Sequence, residues 1–432
     1  MARGTVHIIG AGLAGLSAAT LLAERGWPVH LHEAAPQAGG RCRSYVDPTL
    51  DTTIDNGNHL ILSGNQAALA YLQRIGARDR LSGPDRSIFD FVDLENGERW
   101  RLEPSPGRLP LWIFDKTRRV PGTRWTDYLG LLRLQFARDG ATIGDVLSCR
   151  GLIYDRLWRP LLLAALNIEP PSASARLAGA VIRQTLARGG DACRPLTARG
   201  GLSSAFVEPA LAFLNGLGAR VQFGSRLRSL SFDADRADCL IFADDRLSLG
   251  ADDHVILAVP GLAASQLLPG LTVPVEHCAI VNGHFRIAPP TSLPPILGVI
   301  GGEAEWIFAF SDHISTTTSG ADRLLDMPRE ELASKLWQDI QAATGLDAAM
   351  PSWQIVKERR ATFAALPAEE KRRPPARTKW SNILLAGDYT ATGLPATIEG
   401  AIRSGVVAAD MVRQHSGHPS AMAAYSQGSV ST

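Results

Sequence analysis

An α/β fold with a Rossmann-like dinucleotide-binding domain follows from three observations near the start of the chain. Val6 to Ile9 form a short apolar run with the composition of a buried parallel strand. Gly10, Gly12 and Gly15 come next in G-x-G-x-x-G spacing. Glu33 stands 18 residues beyond Gly15, at the end of a second strand-like run, Val29 to His32. The glycines meet separate demands: Gly10 a tight turn, Gly12 close approach of a pyrophosphate, Gly15 packing of helix on strand. After Leu13, Ala14 to Glu24 have the composition of a helix, and its first N–H groups face a phosphate. Glu33, with Ala34 beside it, can accept both hydroxyls of a ribose and would repel a 2′-phosphate.

The remaining elements follow in order. After Arg41 comes a strand-like stretch and the segment Asp55-Asn56-Gly57-Asn58-His59-Leu60. Residues 65 to 75 read as a helix. Residues 86 to 102 alternate around Asn96-Gly97, a hairpin signal. Residues 103 to 122 carry four prolines and read as loop. Helical patterns fill 125 to 187, broken at Glu169-Pro170-Pro171. Within them, Leu157 to Leu166 reads as a core helix around a proline or as one wall of an apolar tunnel. Beyond Gly200-Gly201 the pattern returns to α/β: a helix at 202–217, then strands at 221–223, 227–232, 239–242 and 254–259. Further strands are expected at 278–287, 296–301, 305–310 and 353–358, with a helix at 328–343. A last strand, 383–386, delivers Gly387-Asp388, and a loop with Gly393 and Pro395 leads to a helix from about Ala396 onward. There Asp388 can accept a hydroxyl of a bound ligand. The N–H groups near Thr397 and Ile398 can stabilise negative charge on that ligand. The tail after His415 is polar and expected to fray.

Composition narrows the class. The 432 residues carry a net charge of +1, so there is no electrostatic footprint for nucleic acid. Five scattered cysteines without a CxxC suit reduced thiols in a cytosolic setting, and no metal-ligand spacing is evident. No apolar run is long enough to span a bilayer, and the first residues do not read as a signal peptide. There is no second G-x-G-x-x-G for a separate nicotinamide cofactor.

Gly39-Gly40-Arg41 follows Glu33 after five intervening residues. This Glu-x5-Gly-Gly-Arg extension resembles the amine oxidase and phytoene desaturase superfamily of FAD enzymes. The resemblance implies that Arg41 and its neighbours approach the pyrophosphate and flavin. It also implies that Leu227 meets the adenine through its backbone. It divides the chain into an FAD domain at 1–75, 195–262 and 376–432, and a substrate domain at 76–194 and 263–375. Cys278 is the last cysteine, so the flavin is expected to be non-covalent.

Three narrower signatures, Asp55 to Asn65, Lys357 to Phe363 and Gly387 to Gly405, resemble the squalene-associated FAD-dependent desaturases, the hydroxysqualene dehydroxylases. That resemblance implies a long-chain isoprenoid substrate, an aliphatic site and peripheral contact with the inner face of the cytoplasmic membrane from the cytoplasm. It also implies proximity to squalene-synthase-like enzymes. Loss of an allylic hydroxyl leaves a delocalised cation that can take a hydride, but hydroxide leaves poorly without a donor. His59 is a candidate donor or a structural histidine. Tyr389 is a candidate acid or a packing residue. Lys357 matches a lysine–water–flavin arrangement or forms an exposed ion pair with Glu358. His313 is a further polar candidate. A desaturase running the hydride toward flavin, an amine oxidase and a flavin-binding protein without turnover are the alternatives. The amine oxidase is disfavoured because the substrate segments look aromatic-poor.

Overall fold

The computed structural model describes residues 3–415, so the tail after His415 lies outside the described residues. Five parallel strands form the central sheet, in the order Arg220–Gln222, Val29–His32, Val6–Ile9, His254–Leu257, Ile383–Leu385. The first, middle and last parts of the chain all contribute. Val6–Ile9 is the middle strand and is buried throughout, as its apolar run requires.

The helix Leu13–Glu24 is buried at eleven of its twelve positions because the last helix, Ile398–His415, packs against it. Small side chains make this possible. A Cβ on Gly405 would lie 2.2 Å from the Ala14 carbonyl oxygen. The other face of the sheet is covered by a meander, Leu227–Asp233, Arg236–Phe242 and Arg246–Ser248, over Ile9, Val255, Leu257 and Leu385.

A seven-stranded sheet forms the second body. Its order is Trp353–Phe363, His277–Phe285, Ile314–Thr318, Trp306–Ala309, Ile296–Ile300, Phe89–Asp93, Arg99–Leu102. Only the Ile296–Ile300 and Phe89–Asp93 pair runs parallel. The Asn96-Gly97 hairpin forms, with Gly97 at φ +71°. The helix Arg329–Thr344 packs against Val281, Phe285 and Ile307 of this sheet. Another apolar cluster joins the sheet to the helical segments between Leu111 and Gln184.

Several expectations change. Ile314–Thr318 is a central strand buried at every position. Its serine and threonines hide it from a search for apolar runs, although β-branched Thr suits strands. Trp353–Phe363 runs five residues beyond the expected end. Trp125–Phe136 is helical but of the 3₁₀ type, and a π turn at Tyr154–Trp158 precedes Pro160. Leu157, Leu162, Leu163 and Leu166 are buried. The aromatic-poor expectation is wrong in space. Trp112, Tyr128, Trp158, Trp306, Phe308 and Phe363, brought from distant segments, share the core cluster with Leu157, Leu162 and Leu166.

Candidate functional site

The glycine turn has the shape its spacing implies. A Cβ on Gly15 would lie 1.9 Å from the Gly10 carbonyl oxygen, and one on Gly10, at φ +108°, would lie 2.7 Å from the Ala258 carbonyl oxygen. A Cβ on Gly12 would meet no protein atom within 4 Å. The helix after it begins without a side-chain cap and without an acid in its first turn. Its leading N–H groups, at Leu13, Ala14 and Gly15, are therefore free for an anion. Glu33 is fixed by two backbone donors, Ala11 N–H at 2.7 Å and Ala35 N–H at 2.8 Å. A carboxylate has further lone pairs for ribose hydroxyls. Ala34 is exposed beside it, and the Ser225 N–H donates to the Glu33 carbonyl at 2.8 Å, placing the strand that opens at Leu227 near this corner.

Gly39 N–H donates to the Ala11 carbonyl at 2.9 Å, which lays the Gly39-Gly40-Arg41 turn against the glycine loop. Both glycines have positive φ. Arg41 then reaches across to the last motif. Its guanidinium pairs with Asp388 at 2.6 Å and donates to the Ala361 carbonyl at 2.5 Å. Coulombic attraction to Asp388 raises the Arg41 pKa. Gly387 N–H donates to the Ser404 hydroxyl at 2.7 Å. Gly400 N–H donates to the Thr397 hydroxyl at 3.1 Å, so Thr397 caps the helix that begins at Ile398. Ala396 packs against the same apolar cluster as Phe363.

The Asn56 to His59 segment bridges the two bodies. Asn56 donates to Glu358 at 3.1 Å. Asn58 donates to the hydroxyls of Ser315 at 2.9 Å and Thr317 at 3.0 Å. A Cβ on Gly57 would sit 3.2 Å from Asn282 Nδ2. Asn58 Oδ1 and Asn282 Nδ2 are buried without partners among the described residues. His59 is half-buried, and burial together with the Arg41 charge pulls its pKa down to about 4. At pH 7 it is a neutral imidazole, able to donate one N–H without carrying a spare proton.

Two candidates do not join this group. Lys357 donates its ammonium to the carbonyls of Leu324, Leu325 and Met327, at 3.1, 2.9 and 2.5 Å. Its three protons are spent closing a short helical turn. Glu358 instead accepts from Asn56, so neither the flavin role nor the exposed ion pair of the Lys357–Glu358 expectation is formed. Tyr389 packs behind the sheet with Val255, Leu257 and Leu385, and its buried hydroxyl has no partner among the described residues. That supports packing over acid chemistry. His313 bonds its neighbour Asp312 at 2.8 Å.

Sequence reasoning missed Arg373, hidden in a basic run that resembles solvated surface. It is buried and donates to the carbonyls of Asp388, Thr390 and Leu394, at 2.9, 2.5 and 2.7 Å. Burial lowers its pKa to about 10. His284 was missed too: it is fully buried, its Nδ1 lies 2.7 Å from Ser315 Oγ, and burial lowers its pKa to about 3. His7, His30 and His32 gather their ring nitrogens within 4.8 Å of one another behind the sheet. The one-residue spacing of His30 and His32 was the available signal. The His30 and His32 ring centroids lie 3.9 Å apart with the planes tilted by 33°.

The chain matches known proteins over nearly its whole length. Residues 13–413 match the flavin containing amine oxidoreductase family. The chain is 56% identical to hydroxysqualene dehydroxylase of Rhodopseudomonas palustris, over 94% of this chain and 98% of that one. It is 53% identical to hydroxysqualene dehydroxylase of Sinorhizobium fredii, over 94% of this chain and 97% of that one. Cyclohexylamine oxidase from Brevibacterium oxydans shares the fold, with a TM-score of 0.73 at 16% identity, over 96% of this chain and 100% of that one. The chain therefore belongs to the flavin containing amine oxidoreductase family, and within it to the FAD-dependent hydroxysqualene dehydroxylases.

Proposed function

We propose that this chain holds FAD non-covalently and catalyses reductive dehydroxylation of hydroxysqualene to squalene. What carries the reading is the Arg41–Asp388 pair. It ties the phosphate loop to the last flavin motif in a chain more than half identical to hydroxysqualene dehydroxylases. The bound, reduced cofactor supplies the hydride. The loop at Gly10, Gly12 and Gly15 receives the pyrophosphate, Glu33 the ribose, and Arg41, Asp388, Thr397 and Ile398 the flavin end. His59, neutral at pH 7, donates a hydrogen bond to the departing hydroxyl. Overall, alcohol plus hydride plus one proton becomes alkene chain plus water.

We assign 1–75, 195–262 and 376–432 to the cofactor unit, and 76–194 with 263–375 to the substrate unit. Each buried CH₂ of an isoprenoid is worth about 0.8 kcal/mol, so aligning the allylic carbon is the harder task. Such a substrate resides in lipid, which favours peripheral membrane contact on the cytoplasmic side and neighbourhood with squalene-synthase-like enzymes. Among the described residues no helix is long and apolar enough to cross a membrane.

Anaerobic single turnover tests the reading. The reduced holoenzyme mixed with hydroxysqualene should regain its visible flavin absorbance and form squalene in equal amount. His59→Phe should slow this step about a hundredfold, with His59→Gln retaining more of the rate. Reduced enzyme that ignores hydroxysqualene, while oxidised enzyme desaturates squalene or phytoene, would overturn it in favour of a desaturase.

A further inference from the structure

Among the described residues, seven of the thirteen exposed large hydrophobic side chains fall between Leu109 and Phe136. They are Leu109, Leu111, Phe114, Trp125, Leu129, Leu132 and Phe136, the last 86% exposed. An even spread over residues 3–415 would place about one there, and apolar patches of this kind mark interaction surfaces.

The patch is built, not frayed. Trp125–Phe136 is a 3₁₀ helix with three residues per turn. Tyr128, Leu131 and Leu134, three apart, face inward and are buried. Leu129 and Leu132, at the same spacing, form a second apolar ridge facing out, where a soluble surface would carry charge. The Phe114 and Trp125 rings touch, centroids 5.5 Å apart, so the Leu111–Phe114 turn and this helix share one surface. Val120 N–H donates to the Tyr128 hydroxyl at 2.9 Å and Arg119 to the Ile113 carbonyl at 2.8 Å, which hold the connecting loop beneath it.

Charge identifies the occupant. Residues 108–138 carry seven Lys and Arg against two Asp, in a chain whose net charge is +1. A cleft of about 410 Å³ is lined by Lys116, Arg119, Val120, Gly122, Thr123 and Arg124. Its three cations form no ion pair among the described residues, and Asp127 is occupied by the Arg124 N–H at 2.7 Å. Aromatic and aliphatic tips beside unpaired cations match the interface of an anionic bilayer.

We infer that this face docks the enzyme on anionic phospholipid, with the Leu and Phe tips entering the acyl boundary and the Lys116/Arg119/Arg124 cleft taking a headgroup phosphate. The inference rests on the lipid-borne substrate proposed above. The core under the patch runs through Trp158, Leu162 and Phe363 to Ala396, so the docked face backs onto the flavin-contact loop.

The test is co-sedimentation of the FAD-loaded protein with vesicles of phosphatidylcholine alone or mixed with phosphatidylglycerol. Binding should be about tenfold or more stronger to the mixed vesicles and should weaken with salt. Leu132→Asp with Phe136→Asp should abolish binding to both, with an unchanged flavin spectrum. Lys116→Glu with Arg124→Glu should remove only the preference for phosphatidylglycerol. Both variants should keep wild-type turnover of hydroxysqualene in detergent micelles. Wild-type protein that stays in the supernatant with mixed vesicles overturns the inference. So does an apolar-face variant that still sediments, or one that loses turnover in micelles. A dimer that the apolar-face variant dissociates, without vesicle binding, assigns the patch to a second copy instead. Wild-type enzyme inactive on hydroxysqualene in micelles sinks the substrate reading and leaves vesicle binding to be judged separately.

Discussion

Gly12→Ala should separate cofactor binding from folding. Gly12 has φ −72° and ψ 175°, which alanine adopts without strain. Its Cβ would meet no protein atom within 4 Å. Replacing a glycine at a compatible position stabilises a protein by about 0.4–1 kcal/mol, by narrowing the unfolded ensemble. The apoprotein should therefore melt no lower than wild type. FAD should feel the methyl group directly. Phosphate oxygens sit about 2.9 Å from the N–H groups that bind them, too close to leave room for a methyl over the loop. Losing one or two charge-assisted hydrogen bonds, at about 1.5–3 kcal/mol each, weakens binding by roughly tenfold for one weak bond to roughly 20,000-fold for two strong ones. Gly15→Ala is the control, because its Cβ would lie 1.9 Å from the Gly10 carbonyl oxygen and must disturb the fold itself. Flavin titration by fluorescence quenching, with melting of the deflavinated proteins, reads both quantities. If Gly12→Ala holds FAD within threefold of wild type, the pyrophosphate does not cross Gly12 and the assignment of the loop fails.

Three further outcomes follow from the site. Asp388→Asn removes the partner of Arg41, and Arg41→Met does the same from the other side. Each should weaken FAD retention about tenfold, and the double variant should add little, as measured by flavin release on dilution. Lys357→Met leaves three carbonyls unpaired and should lower stability by about 1–3 kcal/mol with kcat unchanged. Tyr389→Phe, which removes an unpartnered buried hydroxyl, should not lower it. A kcat loss in either variant would return that residue to the chemistry. Glu305 is pushed up to about 7 by burial, above its ordinary 4.5, so the native state holds this proton more tightly than the unfolded chain. Its contribution is full below pH 4.5 and lost as pH rises through 7, by at most roughly 3 kcal/mol. Glu305→Gln should flatten that decline in denaturant midpoints between pH 5 and 8, and an unchanged slope would remove Glu305 as its cause.

Local chemistry was legible in the sequence because it is enforced by neighbours in the chain. The turn at Gly10, the helix N-terminus at Leu13 and the carboxylate at Glu33 depend on spacing alone. So do Asp388 at a strand end and the hairpin at Asn96-Gly97. Tertiary structure decided what distant segments do to one another. Arg41 finds Asp388 across 347 residues, and Asn56 finds Glu358 across 302. Lys357 and Glu358 are adjacent in sequence, yet the lysine closes a turn and the glutamate meets Asn56, because strand neighbours point to opposite faces. Arg373 looks like one more surface cation until burial aims it at three carbonyls. His59 looks like an acid until burial and Arg41 hold it neutral. A protonation state is set by desolvation and charge in space, and neither quantity is written in residue order.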